Sequence, residues 1–334
     1  MHRLFGRDAS VERSVEGRLP SLDGATDWLN TPPLTSEGLR GRVVVVDFLT
    51  YTCINWLRTL PYIRAWAETY ADRGVVVLGV HTPEFPFERD LDNVRRALAE
   101  MHVDFPIAVD SNYGVWQAFD NRYWPALYFV DADGNIRHHR FGEGDYEHSE
   151  TVIQELVAEA GVADLERDLV SVAGQGPETE ADWDDLDSPE TYLGYERTEN
   201  LDAPAGVAPD EPHTYALSDT MGLNHWGLAG DWTLRAGSVH LNEPNGRIAF
   251  RFHARDVHLV MGPATRDAAI PFQVFIDGRP LDEANGSDVD ARGSGMLDFP
   301  RMYQLIRQRG PIKDRTFEIE FSEAGAEGFC FTFG

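Results

Sequence analysis

Along the first half of the chain, short unbroken apolar runs alternate with stretches whose apolar residues recur every three or four positions. The run Val43-Val44-Val45-Val46-Asp47-Phe48 reads as a strand buried on both faces. Residues from Ile54 to Ala71 carry helical spacing, with Leu57, Leu60, Ile63 and Ala67 on one face, and Arg73-Gly74 closes that helix. Val75 to Val80 is a second buried strand, and Glu88 to Met101 a second helix with Leu91, Val94 and Leu98 on its stripe. A strand from Phe105 to Val109, a short helix from Tyr113 to Phe119 and a strand from Ala126 to Val130 follow. Asp133-Gly134-Asn135 signals a hairpin turn into a return strand, Ile136 to Phe141. Ser149 is the expected N-cap of a closing helix that buries Val152, Ile153, Leu156 and Val157. This order predicts a mostly parallel sheet with one antiparallel edge, covered by helices. The α/β domain spans residues 19–162, after an N-terminal extension of residues 1–18.

Between residues 163 and 212 the pattern dissolves. Pro177 to Glu190 holds seven acidic residues and no basic one, the composition of a solvated linker or interdomain strap. From residue 213 to 334 the period is two. Ile248, Phe250 and Phe252 alternate with Ala249, Arg251 and His253, and Phe317, Ile319 and Phe321 with Glu318 and Glu320. Short strands at this spacing, with turns such as Asp277-Gly278, predict an all-β antiparallel sandwich.

Charge and sulfur content narrow the function classes. The 334 residues carry 56 acidic and 29 basic side chains, a formal net charge of −27, which argues against nucleic acid or an anionic membrane as partner. No apolar run is long enough to span a bilayer, and Met1 to Gly24 lack the apolar core of a secretion signal, so a cytoplasmic location is expected. Only two cysteines are present, Cys53 and Cys330, too few for a disulfide scaffold or a cysteine-rich zinc site. His138 and His139 fall on opposite faces of their strand, and no metal or cofactor is expected. Any sulfur chemistry must rest on one or both cysteines.

Cys53 falls where a buried strand gives way to the first turn of a helix, in Thr50-Tyr51-Thr52-Cys53-Ile54-Asn55-Trp56. The unpaired amides and positive dipole end of a helix favour a thiolate, so the thiol pKa is expected to fall. The bland reading is a buried structural cysteine. Cys330, in Phe329-Cys330-Phe331-Thr332-Phe333, faces away from the three phenylalanines; a bridge to Cys53 would need Cα atoms within about 7 Å across a domain boundary, and Cys330 reads as a bystander. Glu84, in His81-Thr82-Pro83-Glu84-Phe85, follows a central strand and is a candidate proton acceptor for the thiol or, equally, a helix-capping acid. Trp226, Trp232, Tyr195 and Tyr303 are either an aromatic binding platform or core.

These stretches resemble the TlpA/DipZ-type thioredoxin-like family. The matching residues are Tyr51 to Pro61, His81 to Phe85, Asn121-Arg122-Tyr123-Trp124-Pro125-Ala126 and Gly142-Glu143-Gly144. Ser188 to Gly194, Trp226 to Trp232 and Phe331-Thr332-Phe333-Gly334 are similar to the family's C-terminal β module. The resemblance implies a thioredoxin-like α/β domain followed by an all-β, carbohydrate-binding-like jelly roll, without the membrane-spanning part of the full-length members. It makes Cys53 the nucleophile and Trp124-Pro125 a cis-proline loop that aligns a thiol or peptide partner, with Tyr51 and Asn55 beside the cysteine on the binding side. One departure stands out. The family's second cysteine, three residues after the first, is Trp56 here, whose indole is expected to shield the sulfur, select a partner or fill space. Thr50 has the Thr-x-x-Cys spacing of peroxiredoxins, a weak match, in which the hydroxyl helps to orient a peroxide; Arg58 or Arg122 would then have to serve as the arginine.

Two functional expectations follow. One is a monothiol oxidoreductase using Cys53 on a thiol, disulfide or peroxide substrate, with Thr50 and the helix end supporting the thiolate and an external thiol as reductant. The other is a redox-inactive binding protein that holds a small molecule, peptide or glycan in an interdomain cleft or on the β module. Sequence leaves the oligomeric state open.

Overall fold

The computed structural model describes residues 14–163 and 167–334, so most of the expected N-terminal extension lies outside the described residues. Two compact units divide between Ala173 and Gly174.

In the first unit the strands are β1 (Gly17–Arg18), β2 (Asp27–Leu29), β3 (Val43–Leu49), β4 (Val75–His81), β5 (Ile107–Val109), β6 (Ala126–Val130) and β7 (Asn135–Phe141). The helices are α1 (Ile54–Thr69), α2 (Leu91–Glu100), α3 (Gly114–Ala118) and α4 (Tyr146–Glu159). All seven residues of β3 are buried, as a strand covered on both faces requires. Val44, Val46 and Phe48 join Leu78, Val80, Val115 and Phe119 in one core, while α1 and α4 cover the other face.

The sheet order is β1-β7-β6-β3-β4-β5-β2. Only β3, β4 and β5 run parallel; β6 lies antiparallel against β3 in mid-sheet, and β7, β1 and β2 are antiparallel too. The expectation of one antiparallel edge is therefore corrected, because apolar periodicity records burial and carries no strand direction. The direction of β6 matters. It starts where β3 ends, with Ala126 opposite Phe48, and so delivers residues 124 and 125 to the end of β3 that leads to Cys53.

Two helix starts differ from expectation. Asp90 caps α2 by accepting from the Asp92 amide, and Glu88 sits in a preceding 3₁₀ turn, Pro86–Arg89. Asp145, with φ 57°, stands at the cap of α4, which leaves Ser149 buried inside the helix.

The second unit is built from β8 (Thr191–Tyr192), β9 (Leu201–Asp202), β10 (His213–Tyr215), β11 (Trp226–Leu234), β12 (Val239–Leu241) and β13 (Gly246–Phe252). These are followed by β14 (Asp256–Pro263), β15 (Ile270–Ile276), β16 (Ser294–Leu297), β17 (Arg301–Arg307), β18 (Arg315–Phe321) and β19 (Ala326–Phe333). The strands follow one hydrogen-bonded path, β16-β15-β18-β13-β11-β12-β19-β14-β17, that curls back on itself, so that Phe250 of β13 and Phe317 of β18 pack against Phe331 of β19 across the core. The curl passes through β11. Residues 226–229 pair with β13 and residues 232–234 with β12, and between them Gly230 has φ 102°, a conformation that side-chain-bearing residues rarely adopt. Trp226 and Trp232 are buried in this core, as is Tyr303, which excludes them from an exposed aromatic platform.

The acidic segment is only partly a linker. Residues 174–212 belong to the second unit, where β8 pairs with β19 and β9 with β11. Leu193 is buried and Leu186, Tyr195 and Leu201 pack against the core, so a few apolar side chains anchor an otherwise acidic stretch.

Candidate functional site

At the end of β3 the chain leaves the sheet through a turn in which the Cys53 amide donates to the Thr50 carbonyl at 3.1 Å. Cys53 is then the N-cap of α1, with φ −73° and ψ 116°, and its carbonyl accepts from the Leu57 amide at 3.0 Å. No side chain caps this helix end and its first turn has no acidic residue. The early amides and the positive dipole end therefore act on the half-buried Cys53 side chain without competition from a carboxylate of the helix itself.

The sulfur lies 3.8 Å from the carbonyl oxygen of Trp124, and the Trp124-Pro125 peptide is cis. The Trp124 ring is anchored from behind. Its Nε1 donates to the Thr82 carbonyl at 3.1 Å, and its ring centroid is 4.3 Å from that of Trp116. The Pro125 carbonyl accepts from the Gly142 amide at 2.9 Å, which ties the loop to the end of β7.

Trp56 points away from solvent. It is 0 % exposed, and its Nε1 donates to Asp47 Oδ2 at 2.9 Å. Of the three roles considered for the indole, filling space is the one these contacts fit. Asp47, which the sequence reading passed over, is fully buried in β3; burial pushes its carboxyl up to about 7, against the lowering effect of the indole hydrogen bond. Its Oδ1 has no partner among the described residues. An acid inside an otherwise apolar buried strand was the available signal.

The carboxylate wired into the Cys53 turn is Glu88, not Glu84. Glu88 is 0 % exposed and accepts from Thr52 Oγ1 at 2.7 Å and from the amides of Glu84 and Phe85 at 2.6 and 2.8 Å. Thr50, also buried, faces this carboxylate and lowers its proton affinity, although its hydroxyl forms no well-aligned hydrogen bond. Glu84 is half-buried and contributes its amide.

Tyr51 is buried against His81, with stacked rings 5.7 Å apart, and against Phe87 at 6.2 Å, so it is not presented to a partner. Burial and the neighbouring charges of Glu88 and Asp90 hold its phenol protonated. Asn55 stays half-buried on the first turn of α1, where its carbonyl accepts from Thr59 Oγ1. The two candidate arginines are engaged elsewhere: buried Arg58 pairs with Glu143 at 3.0 Å, and exposed Arg122 with Asp120 at 3.3 Å. Among the described residues no group of three His, Cys, Asp or Glu side chains is arranged to hold a metal ion, and no helix is long and apolar enough to cross a membrane.

Comparison with known proteins gives this geometry a context. Residues 22–155 match the Redoxin family, and residues 188–334 match the family described as the thioredoxin-like C-terminal domain. The chain thus joins a redoxin domain of thioredoxin-like fold to a β-rich C-terminal domain. More specifically, it is a homologue of the protein DipZ of Mycobacterium bovis, at 35 % identity over 332 residues, 98 % of this chain. It spans 44 % of that relative's length. The thiol-disulfide oxidoreductase YkuV of Bacillus subtilis is 27 % identical over 141 residues, 42 % of this chain and 95 % of its own. A solution structure of a thioredoxin-like protein in the oxidised form aligns with 45 % of this chain and 99 % of its own, at 28 % identity and a TM-score of 0.40. The Redoxin match and the likeness to DipZ and YkuV make the chain thioredoxin-like and related to thiol-disulfide oxidoreductases.

Proposed function

We propose that the protein is a thiol-disulfide oxidoreductase that works through Cys53 as a single nucleophile. The observation that carries this reading is the placement of a half-buried sulfur at an uncapped helix N-terminus, with Trp56 fully buried and hydrogen-bonded to Asp47. Such a position favours the thiolate, the nucleophilic form.

In the first step the Cys53 thiolate attacks one sulfur of a substrate disulfide. A Cys53–substrate disulfide forms, the original bond breaks, and the leaving thiolate takes up a proton. The Trp124 carbonyl, 3.8 Å from Sγ, offers a backbone acceptor to the incoming chain. No second thiol follows on the helix, because Trp56 fills that position. An external thiol therefore attacks the substrate-side sulfur, and Cys53 leaves as thiolate. One cycle converts one disulfide and one external thiol into one released thiol and one new disulfide, with electrons balanced.

The peroxidase variant has less support, since Thr50 faces Glu88 and the arginines are paired elsewhere. The deciding experiment is turnover of a small mixed disulfide with excess low-molecular-weight thiol. The wild-type chain is expected to accelerate exchange and Cys53→Ser to return it to the uncatalysed rate. Equal rates for the two chains would favour the binding-protein reading.

A further inference from the structure

The buried carboxylate of Glu88 has no part in the exchange steps above, yet three donors converge on it from two segments. Thr52 Oγ1 reaches it from the turn that carries Cys53, and the Glu84 and Phe85 amides from the loop after β4. A side chain with no solvent exposure and this many donors is a built acceptor, since burying a carboxylate is tolerated only when its lone pairs are satisfied. Its link to the sulfur is short in sequence: Thr52 is the residue before Cys53.

We propose that Glu88 is the positioning residue of the thiol site, acting through Thr52 to fix the Cys53 turn and to make the reactivity of Cys53 depend on the ionisation of Glu88. This rests on the reading of Cys53 as the reactive thiol. As a carboxylate, Glu88 accepts from all three donors at once. Once protonated on Oε1 it must itself donate, so the hydrogen bond with Thr52 Oγ1 reverses direction and loses its charge-assisted strength while Oε2 keeps both amides. Burial pushes this transition up to about 7, partly offset by Thr50, the Phe85 amide and Thr52, with the charge of Glu84 adding to the rise. The other groups sharing its field are the Tyr51 phenol from the turn before α1, Arg89 and Asp90 at the end of the 3₁₀ turn, and Tyr113 and Asp110 next to α3. His81, stacked on Tyr51, is held neutral by burial, which lowers its proton affinity to about 3. The sign is then defined. Ionised Glu88 tightens the turn but places a negative charge near a developing thiolate, so it raises the thiol pKa.

The test is the rate of Cys53 alkylation by iodoacetamide between pH 5 and 10 in the full chain, compared with Glu88→Gln, Thr52→Val and Thr52→Ser. The wild type should show two inflections, one near pH 7 from Glu88 and one from the thiol. Glu88→Gln should leave a single inflection, shifted to lower pH. Thr52→Val, which removes a hydrogen bond that lowers the proton affinity of Glu88, should move the inflection near pH 7 to higher pH and weaken it, and Thr52→Ser, which retains the hydroxyl, should restore it. A Glu88→Gln profile that superimposes on the wild type, or moves to higher pH, overturns the proposal. If Glu88→Gln does not fold, a Thr52→Val profile identical to wild type overturns it equally. The role is separable from oxidoreductase turnover by following the backbone amide of residue 53 by NMR in Cys53→Ser. That signal should titrate near pH 7 even if no disulfide is ever turned over, and adding Glu88→Gln should abolish the titration; a pH-invariant shift, or one that persists with Glu88→Gln as buried Asp47 would give, counts against Glu88 alone.

Discussion

Cys53 and Cys330 are the same side chain in opposite backbone settings. At Cys330 the strand continues on both sides: the residue pairs with Tyr192 on β8 and Val260 on β14 and is 1 % exposed. Its sulfur is 3.4 Å from the Phe331 carbonyl, a contact that offers an acceptor and no positive field. At Cys53 the sheet has just ended and a helix has begun, so the thiol stands at a helix end whose first amides have no backbone acceptor within the helix. Neither cysteine is in a disulfide. Thiol chemistry here follows from where backbone donors run out, which happens at the end of β3 and not in the interior of β19.

That contrast can be attacked from beneath the thiol first. Trp56→Ala removes a fully buried indole and leaves Asp47 without its hydrogen bond, and should cost about 3–5 kcal/mol in urea unfolding of the first unit. Because the indole faces Asp47, Cys53 alkylation in the folded variant should stay within a few-fold of wild type. A large change in labelling with little loss of stability would put the indole over the sulfur after all.

Asp47→Asn is next in size and has a definite pH signature. The carboxyl titrates near 3.8 when unexposed to the fold and at about 7 within it. Between those values the native state holds a proton that the unfolded chain has released, so stability falls as pH rises from 4 towards 7 and is level above. The variant cannot ionise. It should match the wild type near pH 4 and exceed it at pH 8, by roughly 4 kcal/mol at most, as read from melting curves across pH. A wild-type melting temperature that climbs through this window would reverse the assignment.

How far these groups were visible in the sequence depends on the range of the interaction. The strand–Cys53–helix junction was legible because an unbroken apolar run followed by a 3.6-residue stripe is local information. The Trp124-Pro125 loop could be placed at the sulfur only by resemblance, since the antiparallel run of β6 beside β3 is not written in its periodicity. Glu84 was singled out and Glu88 was not, because proximity in sequence to a central strand says little about which of two nearby acids turns inward; here a 3₁₀ turn points Glu88 at the amides of Glu84 and Phe85. Ser149 looked like a cap by composition, yet the helix starts a turn earlier at Asp145, whose left-handed conformation follows a run of glycines and acids. In the second unit alternation gave the strands, while the curl through Gly230 depends on one backbone angle.

Smaller effects sharpen the other side of the comparison. Gly230→Val forces a branched side chain into φ 102° and should cost about 1–3 kcal/mol in the second unit, with disulfide exchange at Cys53 unchanged. Cys330→Ala should cost only about 1 kcal/mol and leave turnover within two-fold of wild type. A loss of turnover in Cys330→Ala would make the second cysteine a participant.

The most direct measurement labels both cysteines of the native chain with iodoacetamide across pH 5 to 10 and quantifies each site by mass spectrometry. Cys53 should be alkylated with a thiol inflection below the ordinary value of about 8.5, while Cys330 stays unlabelled until the protein is unfolded. Protection of Cys53 equal to that of Cys330, or a thiol inflection at or above the ordinary value, would contradict the account.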